Sequence, residues 1–165
     1  MNRLILFLSA YFCTIFSTSS LAKTSMEKVL AAKTAPVCAA DLTELARNTI
    51  GLNKHRLLEL NGQASQQQSS FVSGVIQYKD RQSHVVYSAT EDKQGNCMVT
   101  FQETFTVKSP CILVREEVFK KWQYQGKLNN HTMVFRNQKD ISMSAMLSDA
   151  SDGSYCLVSR NKSGV

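Results

Sequence analysis

The chain has 165 residues, a formal net charge of +6, and 43% apolar residues of which few are aromatic. That length and apolar content suit one compact domain with a real core. The lysines and arginines are scattered, with Lys120-Lys121 the one basic dipeptide, so the charge reads first as a solvated surface, with an acidic partner surface as the functional alternative and nucleic-acid binding disfavoured.

Residues 1–22 read as a secretory signal peptide. Met1-Asn2-Arg3 is a short basic start, Leu4 to Phe16 is apolar except for Ser9 and Thr14, and Ser20-Leu21-Ala22 offers small residues for cleavage. The apolar run of about 13 residues falls short of the roughly 20 that a spanning helix needs, so no stable membrane insertion is expected. Cleavage leaves about 143 residues with a net charge of about +5, periplasmic or secreted. Cys13 leaves with the leader, and Cys38, Cys97, Cys111 and Cys156 remain. An even number of cysteines in an exported chain predicts two disulfides. Their spacings of 59, 14 and 45 residues contain no CxxC and no nearby histidine pair, so neither a metal nor a cofactor is expected. Spacing alone leaves three pairings open.

Residues 23–35 form an N-terminal arm rich in Ala and Lys, either a short helix after Ser25 or a segment without a fixed place. From Pro36 the signal strengthens. Cys38, Leu42, Leu45, Ala46 and Thr49 follow helical spacing, Asp41 and Glu44 favour the positive end of the helix dipole, and Gly51 supplies a stop. Leu52 to Leu60 fits neither period, and Asn61 to Ser70 reads as a polar, low-complexity loop. Three strands are predicted at Phe71–Tyr78, His84–Thr90 and Cys97–Val107. In the last of these, Val99, Phe101, Phe105 and Val107 share a face with Glu103.

Ser109 and Pro110 then open a second helix, with Cys111, Val114, Val118 and Trp122 on one face and Gly126 as its end. Strands follow at His131–Arg136, Ile141–Ser148 and Tyr155–Val158, and Asn161 to Val165 reads as a tail. Both halves therefore carry the same landmarks: a cysteine opening a helix, three strands, and a second cysteine opening the last strand. The predicted fold class is α+β, with αβββ units at residues 36–108 and 109–161. The two units would form one mainly antiparallel sheet of about six strands with both helices on one face. If the repeat holds, the disulfides are Cys38–Cys97 and Cys111–Cys156, each stapling a unit too small to hold a core alone.

Little in the chain points to chemistry. His55, His84 and His131 are accompanied by no GxSxG elbow, HExxH or paired carboxylates, so no enzyme is predicted. Glu103 is the unusual residue: a carboxylate on an apolar strand face either lines a ligand cavity or belongs to an edge or a bulge that turns it outward. Trp122 and Tyr124 are the candidate aromatic contacts for a protein partner. These readings predict a small exported binding protein of the periplasm or envelope, an inhibitor or immunity-type protein that neutralises or accompanies another protein. The alternative is a small-ligand carrier with a cavity between sheet and helices.

Overall fold

The computed structural model describes residues 25–31, 37–60 and 69–164. The signal-peptide reading of residues 1–22 and most of the polar loop read at 61–70 lie outside them. Eight strands form one sheet: β1 (Lys54–Glu59), β2 (Ser69–Gln77), β3 (Gln82–Glu91), β4 (Cys97–Val107), β5 (Trp122–Asn129), β6 (Thr132–Asn137), β7 (Met143–Asp149) and β8 (Cys156–Ser163). Their order is β1-β2-β3-β4-β8-β7-β6-β5, and every neighbouring pair is antiparallel. Two four-strand meanders thus meet through their last strands, β4 and β8.

Among the described residues three helices cover one face: α1 (Ser25–Leu30), α2 (Ala39–Ile50) and α3 (Cys111–Val118). Helix α2 buries Leu42, Leu45, Ala46 and Ile50, a stripe at i, i+3, i+4 and i+8, against Val72, Ile76, Val85, Tyr87, Val99 and Phe101. Thr49 ties it down further: its hydroxyl bonds the Leu45 carbonyl and the Tyr87 hydroxyl, each at 2.8 Å. Helix α3 buries Cys111 and Val114 in a second cluster with Phe105, Phe119, Phe135, Leu147 and Val158. Phe101 and Phe105 lie on the same face of β4 but belong to different clusters, and the residue between them on that face is Glu103.

Cys38 pairs with Cys97 and Cys111 with Cys156. Each bond ties the start of a helix to the first residue of a central strand, β4 or β8. In the chain-entropy account, closing loops of 59 and 45 residues is worth about 4 kcal/mol apiece. Cys38 sits at φ +53°, the left-handed region that residues with a Cβ rarely enter, and reaches the strand from the position just ahead of α2.

Several expectations change. Each of α2 and α3 is followed by four strands rather than three. β1 is the strand that the ambiguous leucines concealed, with Leu57 buried and Leu58 exposed beside it. β5 replaces the second half of the predicted second helix. Trp122 matches helical spacing from Val118, but Trp122-Gln123-Tyr124 opens a strand, because aromatic residues suit a pleated surface and Phe119 ends the helix by burying its ring against Trp122 at 5.1 Å. Ser109 does not cap α3; Pro110 holds the cap position, and the Asp149 carboxylate accepts the Cys111 N–H at 2.7 Å. Residues read as a tail continue β8 to Ser163. The arm folds in part as α1, whose Met26 and Leu30 are buried beside α2 and β1. Among the described residues no helix is long and apolar enough to cross a membrane.

One glycine is fixed by space. A Cβ on Gly74 in β2 would lie 2.4 Å from the Arg56 carbonyl oxygen and 2.6 Å from Leu57 Cδ2. Gly74→Ala should therefore destabilise the protein by about 2–3 kcal/mol through overpacking, whereas Ser73→Ala on the opposite face should change it by less than about 0.5 kcal/mol. Urea unfolding of the two variants decides this, and equal stabilities would refute the close packing of β1 on β2.

Candidate functional site

The junction of the two meanders holds the most concentrated chemistry. The β4–β8 register sets Glu103 opposite Arg160, and Glu103 is fully buried. Arg160 donates to Glu103 Oε2 from both Nε, at 3.0 Å, and Nη2. Arg81, in the turn before β3, brings Nη2 to 3.8 Å from Glu103 Oε1 while its Nη1 pairs with Asp80 at 3.0 Å. Both guanidinium groups lie over the Phe105 ring, Arg81 at 4.4 Å and Arg160 at 5.7 Å, and Arg81 also covers Tyr78 at 4.4 Å. Glu103 Oε1 and Arg81 Nε are buried without a hydrogen-bond partner in good geometry. Glu103 is thus neither an edge charge nor turned outward by a bulge. It occupies a central strand and is held by two cations.

A cavity of about 200 Å³ opens above this junction beside α2, lined by Asn48, Thr49, Tyr78, Phe101, Arg160 and Lys162 as well as Glu103. Lys162 lies 3.6 Å from Asp140. The Asp140 carboxyl is held below the usual range first by its bond from Ser142 and further by Lys162. Tyr78 is pushed above the ordinary phenol range, mainly by burial and then by the negative charge of Glu103. Burial likewise raises Tyr87, against the opposing effect of its bond with Thr49. The cavity can accept a small polar molecule between Asn48 and Thr49 of α2 and the cations of β8, with the carboxylate beneath them.

Among the described residues, the opposite face of the sheet carries no helix. By register it presents Leu58, Leu60, Phe71, Val86 and Met98 from the first meander and Leu157 from β8, all exposed. Leu58, Leu60 and Met98 retain 64%, 60% and 58% of their accessible surface, well beyond what a scattered surface residue needs explaining for when neighbours are also apolar. A groove of about 450 Å³ runs between Arg56, Leu58, Leu60, Ser73, Val75 and His84. Alongside it runs a lane of hydroxyl and amide groups joined across strands: Ser88 to Thr100, Gln102 to Ser159 at 3.1 Å, and Thr132 to Ser148 at 2.9 Å.

Of the two aromatic candidates, Trp122 is half-buried against Phe119, and Tyr124 is exposed at its rim while its ring meets Phe135 at 5.7 Å. Both lie on β5, an edge strand whose pairing with β6 shifts register twice, and both are far along the sheet from Glu103. The four cysteines are consumed in the two disulfides. Asp41 lies close to the Cys38–Cys97 sulfurs, but bonded cysteines offer no thiolate to a metal. His55 Nδ1 meets the Asn53 carbonyl at 2.8 Å, and its Nε2 meets the Ser25 hydroxyl, a solvent-exposed contact that fastens α1 to β1. The sequence pointed to Glu103 but not to Arg81, Arg160 or Tyr78. The one available signal was the buried carboxylate itself, which demands a cation on a neighbouring strand.

No protein-family model matches the chain, and comparison with curated proteins and with solved structures likewise finds no match.

Removing the Glu103 charge leaves two arginines facing a neutral group. Glu103→Gln should cost about 2–3 kcal/mol in urea unfolding, below the roughly 3–5 kcal/mol of a fully buried broken pair because both arginines are partly solvated. The same substitution should bring Tyr78 ionisation down toward, but not to, the ordinary phenol value, since burial remains. The wild type minus Tyr78→Phe absorbance difference near 295 nm follows it. The raised Tyr78 pKa stabilises the fold fully below a pH of about 10, and that contribution is lost as pH rises and the unfolded chain ionises first. A difference titration unmoved by Glu103→Gln would rule out the electrostatic contact.

Proposed function

We propose that the protein is exported and acts by binding another protein through the helix-free face of its sheet, as an inhibitor or immunity-type neutraliser or as an accompanying subunit. The observation that carries this reading is the exposed apolar set Leu58, Leu60, Val86 and Met98, carried on the face that no helix covers among the described residues. Apolar anchors surrounded by short polar side chains match the anatomy of a protein interface, a desolvated centre within a polar rim. Two disulfides support a working place outside the reducing cytosol. Strand positions braced across the sheet lose little freedom when a partner docks.

The cavity above Glu103 favours a second reading, a carrier of a small polar ligand. The two readings use opposite faces and separate cleanly. A photo-cross-linking residue at Leu58 should give a discrete protein adduct in cells that make the partner, while the same residue at the exposed Ile112 of α3 should give none. Native mass spectrometry of the purified protein should reveal a bound small molecule, lost in Glu103→Gln, only if the carrier reading holds. Absence of any adduct from Leu58 in the folded protein would sink the protein-binding proposal.

A further inference from the structure

The distribution of charge on the sheet is one-sided. All 13 acidic residues of the chain fall in the described parts. Glu27, Asp41, Glu44, Glu116 and Glu117 lie on helices, and Asp80, Asp92, Asp140 and Asp152 lie in the turns at the sheet's ends. The four on strands, Glu59, Glu91, Glu103 and Asp149, share the helix-side parity of Leu57, Ala89, Phe105 and Leu147 respectively. No strand carboxylate points to the helix-free face.

That face does carry cations. Lys54 and Arg56 project from β1 and Arg136 from β6, all exposed, with His84 on β3 beside Arg56 at the groove. The strand cations divide between the two faces, with Arg160 and Lys162 on the helix side, whereas all four strand carboxylates lie on the helix side. A face of eight strands with three permanent cations and none is a directed field.

We propose that the partner presents an acidic protein surface to this face, with Asp or Glu side chains ringing an apolar patch. The inference rests on the protein-binding reading above and specifies the chemistry of the partner. Leu58, Leu60 and Val86 supply the apolar anchor, Arg56 and Lys54 stand at its margin, and Arg136 lies at the far end of the hydroxyl lane. Arginine at the rim can take a carboxylate in two parallel hydrogen bonds, and the lane's Ser, Thr and Gln groups can donate to further carboxylate oxygens. Like-charge juxtaposition would turn away basic partners. Exposed cations at an interface margin act mainly on the association rate, so binding should weaken as salt shortens the screening length from about 10 Å at 0.1 M.

The test uses the full-length exported protein with a photo-cross-linker at Val86, in cells that make the partner. Three backgrounds are compared: wild type, Arg56→Glu with Arg136→Glu, and Arg56→Gln with Arg136→Gln. Circular dichroism and thermal unfolding establish that all three fold. The proposal expects the adduct yield to fall at least about tenfold on charge reversal, to fall less on neutralisation, and the cross-linked partner peptide to lie in an Asp/Glu-bearing segment. An adduct of undiminished yield in the charge-reversed protein would overturn the acidic-partner inference while leaving the protein-binding reading intact. No adduct from Val86 or from Leu58 in any background would overturn both. In a parallel arm, co-sedimentation with phosphatidylglycerol-containing vesicles, saturable in the wild type and lost on charge reversal without any protein adduct, would assign the face to an anionic membrane surface and overturn the inference in favour of lipid.

Discussion

A carboxylate sealed between two apolar clusters is tolerable only with a cation in contact, and the pairing of Glu103 with Arg160 meets that condition across the β4–β8 junction. The same contact constrains the sheet. Slipping β8 by one residue would turn Arg160 to the open face and Val158 out of its cluster, and a slip of two in one direction would leave Glu103 facing Val158. Hydrophobic pattern alone would penalise the first error. A charged pair adds a large penalty to the second, because an unpaired buried carboxylate costs several kcal/mol. The stacking of both arginines on Phe105 extends the constraint into the second cluster, so two cores that share no helix are coupled through one ring and one carboxylate.

The disulfides reinforce the same two strands. Cys97 opens β4 and Cys156 opens β8, so each helix is tethered to the strand that its meander contributes to the junction. Tethering matters most for α3, which has eight residues and buries little surface, and whose first N–H groups would otherwise depend on Asp149 alone. Helix α2 needs it less, since a four-residue apolar stripe and the Thr49–Tyr87 bond already hold it. The outcome is a sheet covered on one side by helices and left open on the other, with acidic groups drawn to the covered side and the ends.

Much of this was legible in the residues. Strict alternation in Cys97–Val107 gave β4 its full extent, and matched cysteine landmarks pointed to the observed pairing. What escaped were elements whose signal was local and ambiguous. In β1 Leu57 and Leu58 sit on opposite faces because one side packs under α1 and α2 and the other is open, so no clean period survives. In β5 a tryptophan four residues after a helical valine imitates a helix, and only the tertiary contact with Phe119 ends it. The junction was half-legible. Glu103 stood out against its apolar neighbours, whereas Arg160 fell between the last predicted strand and the predicted tail, and nothing in sequence brings residues 57 apart into register.

The position of β8 also bears on timing. The last strand in chain order occupies the centre of the sheet, so β4 has only one neighbour until the final residues are available. The first meander can close its hairpins early, but its inner edge remains bare, Glu103 has no Arg160, and Cys111 has no Cys156. Completion is therefore a late, long-range event governed by the most distant contacts in the chain. The β4–β8 pairing, the second disulfide and the Glu103–Arg160 contact all depend on that one strand.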